Sequence, residues 1–201
     1  MNESELLFNR LKIILATGIF LAVAGTICLS QEKTEKGVKL VRQDDKQKID
    51  VYINGSFFTS YNYPSSLEKP FLFPVHAPNG SVITRGFPLE PRKGERVDHP
   101  HQIGLWFNHG NVNGLDFWNN SSAIPAEKKD TYGHILVQKI VRAESGKKSG
   151  ILEVASDWKD NKENTILIEN TRYIFTADKN DWIIDHIATL TASTGPVKNN
   201  R

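Results

Sequence analysis

From Val38 onward, apolar side chains recur at alternate positions, and this period of two constrains the fold more than any other feature of the chain. Ile49, Val51 and Ile53 alternate with polar residues and lead into Asn54-Gly55. Successive strand residues face opposite sides, so such alternation marks a half-buried strand. Asn-Gly between two β-rich runs marks a tight hairpin. Residues 57–63 supply the return strand. Residues 71–76, then Asn79-Gly80, then 81–87 predict a second hairpin. Further strands are predicted at 103–107, 132–142, 151–158, 165–176 and 182–192, the last four joined by turn-rich segments. No segment after residue 30 sustains the 3.6-residue apolar period of a helix, and there is no internal repeat. The chain is therefore predicted to be all-β, an antiparallel β-sandwich. Two long irregular segments, 88–100 and 108–130, interrupt the strands, and long loops on a β scaffold are where binding sites usually lie.

The N-terminus follows different rules. Arg10 and Lys12 precede an apolar run, residues 13–30, that ends in small residues. A basic region, an apolar stretch and a small-residue site form a secretory signal peptide. Cleavage is expected after Ser30, with the end of Ala22-Val23-Ala24 as the alternative site. An uncleaved anchor and a lipid-modified Cys28 are less favoured readings, the latter because Ile27 is not the small residue such a site requires. The expected organisation is a signal at 1–30, a linker and first strand at 31–48, and a sandwich domain at 49–201. The mature protein is expected in the periplasm or outside the cell, with no stable membrane span after cleavage. Cys28 is the one cysteine, so no disulfide framework is available. Lys and Arg number 25 against 23 Asp and Glu, and the net charge of +2 shows no basic face of the kind nucleic acid requires. No nucleic-acid partner is expected; a neutral small ligand fits the balance.

The chemistry candidates cluster around the long segments. In Asp98-His99-Pro100-His101-Gln102, Pro100 biases His99 toward extended backbone. Residues two apart on an extended chain face the same way, so His99 and His101 can present two imidazoles to one site. Such a pair can transfer protons or chelate a transition metal. Asp98 then points the other way and can act as an orienting group. A second cluster holds Trp106, His109, Asn113, Asp116 and Trp118. Flat aromatic faces beside amides and carboxylates suit a sugar, which offers both apolar faces and hydroxyls. Arg85 can clamp an oxygen-rich ligand, and His134 can complete a histidine cluster. Glu169 and Asp185, on late strands, are functional only if they face a cleft; otherwise they are solvent-side residues. No serine-nucleophile elbow, phosphate-binding loop, dinucleotide fingerprint or His-Glu-x-x-His is present. No cofactor is expected, and a divalent metal held by His99, His101 and His134 is the alternative.

Taken in order, Tyr61 with Pro64, Lys69-Pro70-Phe71 with Pro74, Thr84-Arg85 with Pro88, Asp98-His99-Pro100-His101, Gly104-Leu105-Trp106, Asn113-Gly114 with Asp116-Phe117-Trp118, and Gly133-His134-Ile135 form a pattern. It resembles the PmoA-like family of secreted bacterial proteins, a domain of unknown function found in Bacteroidetes and planctomycetes, over about residues 49–191. The resemblance implies a soluble β-sandwich with a likeness to the mutarotase-type supersandwich. It also implies a carbohydrate role, because members often sit among polysaccharide-degrading functions. A literal methane oxygenase subunit would need several spanning helices, and this chain has one apolar segment. Two departures stand out. Gln102 occupies the place of a further consecutive histidine, and an amide cannot transfer protons as an imidazole does. The family pattern also runs on past residue 192, so the resemblance implies a C-terminally shortened sandwich. Three functions follow as expectations. The first is a carbohydrate-active or carbohydrate-binding protein with a His99/His101 acid–base site, of hydrolase, lyase or epimerase type. The second is a non-catalytic or degenerate binding module, and the third is a histidine-ligated metal enzyme.

Overall fold

The computed structural model describes residues 36–178 and 180–198. The expected signal peptide, with Cys28, lies outside the described residues. β1 (Val38–Gln43), β2 (Lys48–Ile53), β3 (Ser56–Asn62) and β4 (Phe71–Val75) form one antiparallel sheet in the order β1-β2-β3-β4. β5 (His134–Glu144), β6 (Ser149–Lys159), β7 (Thr165–Asp178) and β8 (Asp181–Ala192) form a second in the order β5-β6-β7-β8. Short 3-10 turns at Asp44–Lys46 and Ala126–Thr131 are the helical elements among the described residues. The all-β antiparallel sandwich is thus what the chain forms.

The alternation explains both sheets. Along β6 every second residue is buried, including Leu152, Val154, Ser156 and Trp158. Leu152 and Val154 pack with Ile49, Val51, Ile53, Phe58, Tyr61, Leu72 and Val75 of the first sheet and with Tyr173 and Phe175 of β7, while Trp158 joins a second cluster with Val112, Phe117, Ile135 and Leu167. A slip of one residue in any of these strands would turn its whole apolar row outward, so burial fixes the register. Asn54 and Gly55 both adopt positive φ, 50° and 81°, as a tight β2–β3 turn requires. β1 lies in the stretch expected as linker and first strand. It pairs with β2 from Val38↔Ile53 to Gln43↔Lys48 and forms one edge of the first sheet as described.

Two expected strands do not form. After the Asn79-Gly80 turn, the segment 81–87 makes one bridge, His76↔Val82, and then leaves the sheet. Its backbone groups find side chains instead of a ladder. Arg92 Nη1 donates to the Thr84 carbonyl at 2.9 Å, and the amides of Gly86 and Phe87 donate to the Glu95 carboxylate at 2.8 and 3.2 Å. Buried backbone groups must be paired, but nothing requires a strand to pair them. The segment 103–107 makes a single two-bond bridge, Leu72↔Leu105. Gly104 interrupts it with φ +57°, and a Cβ there would stand 2.2 Å from the Leu72 carbonyl oxygen. The close approach locks this loop against β4.

β8 has one hydrogen-bonded strand neighbour, β7, among the described residues. Its inward row, Trp182, Ile184, His186, Ala188 and Leu190, is half-buried, while Ile187 on its outer face is 53% exposed.

Candidate functional site

The His99–His101 pair forms, though not by the expected route. His99 is not extended: its φ is +52°, in the left-handed region that histidine tolerates better than most residues. The Gln102 amide donates to the His99 carbonyl at 3.0 Å, closing a turn over Pro100 and His101. The turn brings the two imidazoles to 5.6 Å between centroids, edge to face. Asp98 does not point away as alternation had required. Its carboxylate lies 3.2 Å from His99 Nδ1, 3.6 Å from Arg85 and 3.9 Å from Arg96. Desolvation opposes its charge, but the charges of His99 and Arg96 outweigh that and hold its pKa below the usual carboxylate value.

Arg85 supports this turn from behind. Its Nη2 donates to the carbonyls of Arg96 and Asp98, both at 2.7 Å, and its guanidinium lies over the Phe87 ring. Through Nη2, Arg85 thus clamps the loop that carries the histidine turn. His101 is half-buried, and burial lowers its pKa below the ordinary imidazole value of 6.5. The nearby positive charges of Lys69, His99 and Arg85 push the same way, against Asp116.

Trp106 and Trp118 meet edge to face with centroids 4.6 Å apart, and Trp118 is 42% exposed. Their chain neighbours reach the Trp158 ring, Phe117 from a buried position and Phe107 from a partly exposed one. Phe117 and Phe107 pack on the buried Trp158 ring at 4.9 and 6.1 Å between centroids. Asn108 Nδ2 donates to the Phe117 carbonyl at 2.8 Å, fastening the two limbs of the loop. Gly133 leaves room for this arrangement, since a Cβ there would stand 2.2 Å from Phe117 Cζ. Lys69 joins the tryptophans. It is 2% exposed, its Nζ donates to the Trp118 carbonyl at 2.8 Å, and the ammonium lies 4.2 Å from the Trp106 ring centroid. Burial lowers its pKa to about 8 against the opposing pull of Glu68 and Asp116. Asp116 completes this electrostatic group, its two oxygens accepting from the Asn119 amide and side chain at 2.9 and 2.7 Å.

Two expected members lie elsewhere. Asn113 is in a left-handed turn with φ +53° and exchanges hydrogen bonds with Lys198, both 2.9 Å. It lines a cavity of about 720 Å³ together with Asp130, Asp160 and Asn161, and no histidine or tryptophan borders that cavity. His134 pairs with Glu163 at 3.2 Å and borders a separate cavity of about 270 Å³ with Glu68, Asn120 and Lys129. Glu163 and the β5 register direct it there, away from the His99 turn. Among the described residues no three His, Cys, Asp or Glu side chains form a group able to hold a metal, so the His99–His101–His134 set does not assemble. His109 is a loop residue whose Nδ1 accepts from the Asn111 amide at 3.2 Å.

Asp185 is exposed. Glu169 is not a solvent-side residue: it is buried and accepts from Trp158 Nε1 at 2.6 Å and from the Thr171 hydroxyl. Burial raises its pKa above the usual carboxylate value, although both hydrogen bonds oppose this. The folded state therefore holds a proton that the unfolded chain releases near pH 4.5. Stability from this group is full below that pH and declines as pH rises through the raised folded value. Glu169→Gln removes the titration, so chemical denaturation measured across pH is expected to show a flatter decline than the wild type. Identical slopes for the two proteins would refute this reading of Glu169.

A two-sheet antiparallel β-sandwich, with an imidazole pair and a tryptophan pair carried on its long loops, is the class that fold and site define. Residues 48–201 match a family of unknown function, DUF6807, and the chain belongs to that family. No curated protein and no solved structure matches it.

Proposed function

We propose that this protein is an exported carbohydrate-active protein that binds a saccharide on the Trp106–Trp118 face and transfers protons through His99 and His101. The observation that carries the reading is the exposed Trp118 packed edge to face on Trp106, with Lys69 and Asp116 in the electrostatic surroundings of His101. A sugar ring stacks its C–H face on an exposed indole, while its hydroxyls remain for polar partners. His101, held toward its neutral form, is suited to accept a proton. His99, with Asp98 at its Nδ1, is oriented to deliver one from the other ring nitrogen. A hydrolase, lyase or epimerase reaction needs both roles. The resemblance to the PmoA-like family, with its mutarotase-type likeness, agrees with this reading, as does the basic-then-apolar N-terminal segment for export. Among the described residues no helix is long and apolar enough to cross a membrane.

The test is a titration of the protein with mono- and oligosaccharides, followed by tryptophan fluorescence. Trp118→Ala is expected to weaken binding roughly 10- to 30-fold, corresponding to about 1.5–2 kcal/mol of lost stacking and burial. A wild-type protein that binds none of them, or a variant that binds equally well, would overturn the proposal. Gln102 favours the second reading, a binding module without turnover, because it puts an amide beside the pair where the resemblance implies an imidazole. Saccharide binding with no change in any bound sugar would select that reading.

A further inference from the structure

We propose that Lys69 is the positioning residue of the tryptophan platform, its ammonium tying the Trp118 backbone to the Trp106 ring and so setting the angle between the two indoles. The inference deepens the carbohydrate reading and rests on it only for the ligand; the geometry stands apart.

Lys69 enters from the segment just before β4 and Trp106 follows Leu105, which bridges to Leu72 of β4, whereas Trp118 belongs to a long loop. One ammonium makes two contacts of different kinds. It donates to the Trp118 carbonyl at 2.8 Å and faces the Trp106 ring at 4.2 Å from the centroid. The rings themselves are 4.6 Å apart at 65°. A lysine that is 2% exposed is rarely kept as a cation without partners, because an unpaired buried charge is strongly disfavoured. Here the carbonyl and the ring face are those partners, and a desolvated cation is attracted to an aromatic face more strongly than an exposed one. The titratable groups that share its field are Glu68, Asp116, Lys129 and His101. None of these is hydrogen-bonded to the Trp118 carbonyl, so none can substitute for Lys69 in the link.

Two indoles this close couple their electronic transitions, giving an exciton couplet in far-ultraviolet circular dichroism. Trp106→Phe assigns the couplet by abolishing it. Lys69→Met, which keeps length but removes charge and donors, is expected to lose most of the couplet and to weaken saccharide affinity about tenfold. Should Lys69→Met fail to fold, the wild type itself provides the measurement. Its couplet is expected to weaken as pH rises through about 8, where the ammonium's attraction to the Trp106 face is lost while the neutral amine still donates to the Trp118 carbonyl. A folded Lys69→Met protein with an intact couplet overturns the inference. So does a wild-type couplet unchanged well above that pH, or a wild type with no couplet dependent on Trp106. A couplet that responds to Lys69 in a protein that binds no saccharide upholds the inference and rejects the carbohydrate reading.

Discussion

Trp158→Ala is expected to destabilise the protein by about 4 kcal/mol, a cost typical of removing a large buried aromatic. Trp158 is fully buried and is the largest side chain in the interior. Three losses coincide. Its ring is the surface on which Phe117 and Phe107 rest, so its removal leaves a cavity beneath both limbs of the loop. Its indole N–H is one of the two side-chain donors to the Glu169 carboxyl, which would remain buried with Thr171 alone. The surrounding cluster, Val112, Ile135 and Leu167, belongs to three separate segments and can close the gap only by moving them. In thermal unfolding the midpoint should fall by roughly 8–16 °C. Trp158→Phe should recover much of that, because it refills the volume without restoring the hydrogen bond. An alanine variant that melts within a degree or two of the wild type would show that this cluster does not support the fold.

The second large effect concerns chemistry. If the His99–His101 pair transfers protons, His101→Gln should lower turnover of the responsive saccharide by roughly 10²- to 10⁴-fold, the usual contribution of a positioned acid or base. Its melting temperature and saccharide affinity should stay near the wild-type values, because His101 is not part of the core clusters or of the tryptophan pair. The pH profile supplies the diagnostic. A base whose pKa is lowered stays neutral into mildly acid solution, so activity should decline only as pH falls below about 6.5, the ordinary imidazole value. Lys69→Met removes one of the charges that lower this pKa and should move the acid limb upward. Loss of affinity in parallel with turnover would recast His101 as a binding residue.

The second sheet is legible in outline, since β6 to β8 are long alternating strands separated by turn-rich segments, while β5 is a long β-rich run interrupted by bulges. The Asn54-Gly55 hairpin was legible for the same local reason: its turn needs positive φ, and the sequence advertises residues that accept it. The failures share a different cause. Residues 81–87 look like a strand, but Arg92 and Glu95 satisfy the backbone there, and no periodicity records a side chain arriving from elsewhere. The imidazole pair was foreseen from spacing, yet the turn that makes it depends on the positive φ of His99, against the usual influence of Pro100. In the sequence Lys69 stands out only within Lys69-Pro70-Phe71. Its significance lies in a bond to Trp118, 49 residues away, which no local pattern can reveal.

The side-chain fastening of the loops bears on how this sandwich can diversify. A strand added to a ladder is committed along its whole length, so an altered residue there disturbs neighbours on both sides. The segments around the histidine turn and the tryptophan pair are instead pinned at separate points by Arg85, Arg92, Glu95, Asn108 and Lys69. Each pin joins one side chain to one or two backbone groups. Descendants of such a chain can therefore lengthen, shorten or re-aim a loop by exchanging a single pin. The sheets beneath stay as they are, and loop shape and scaffold become separately heritable.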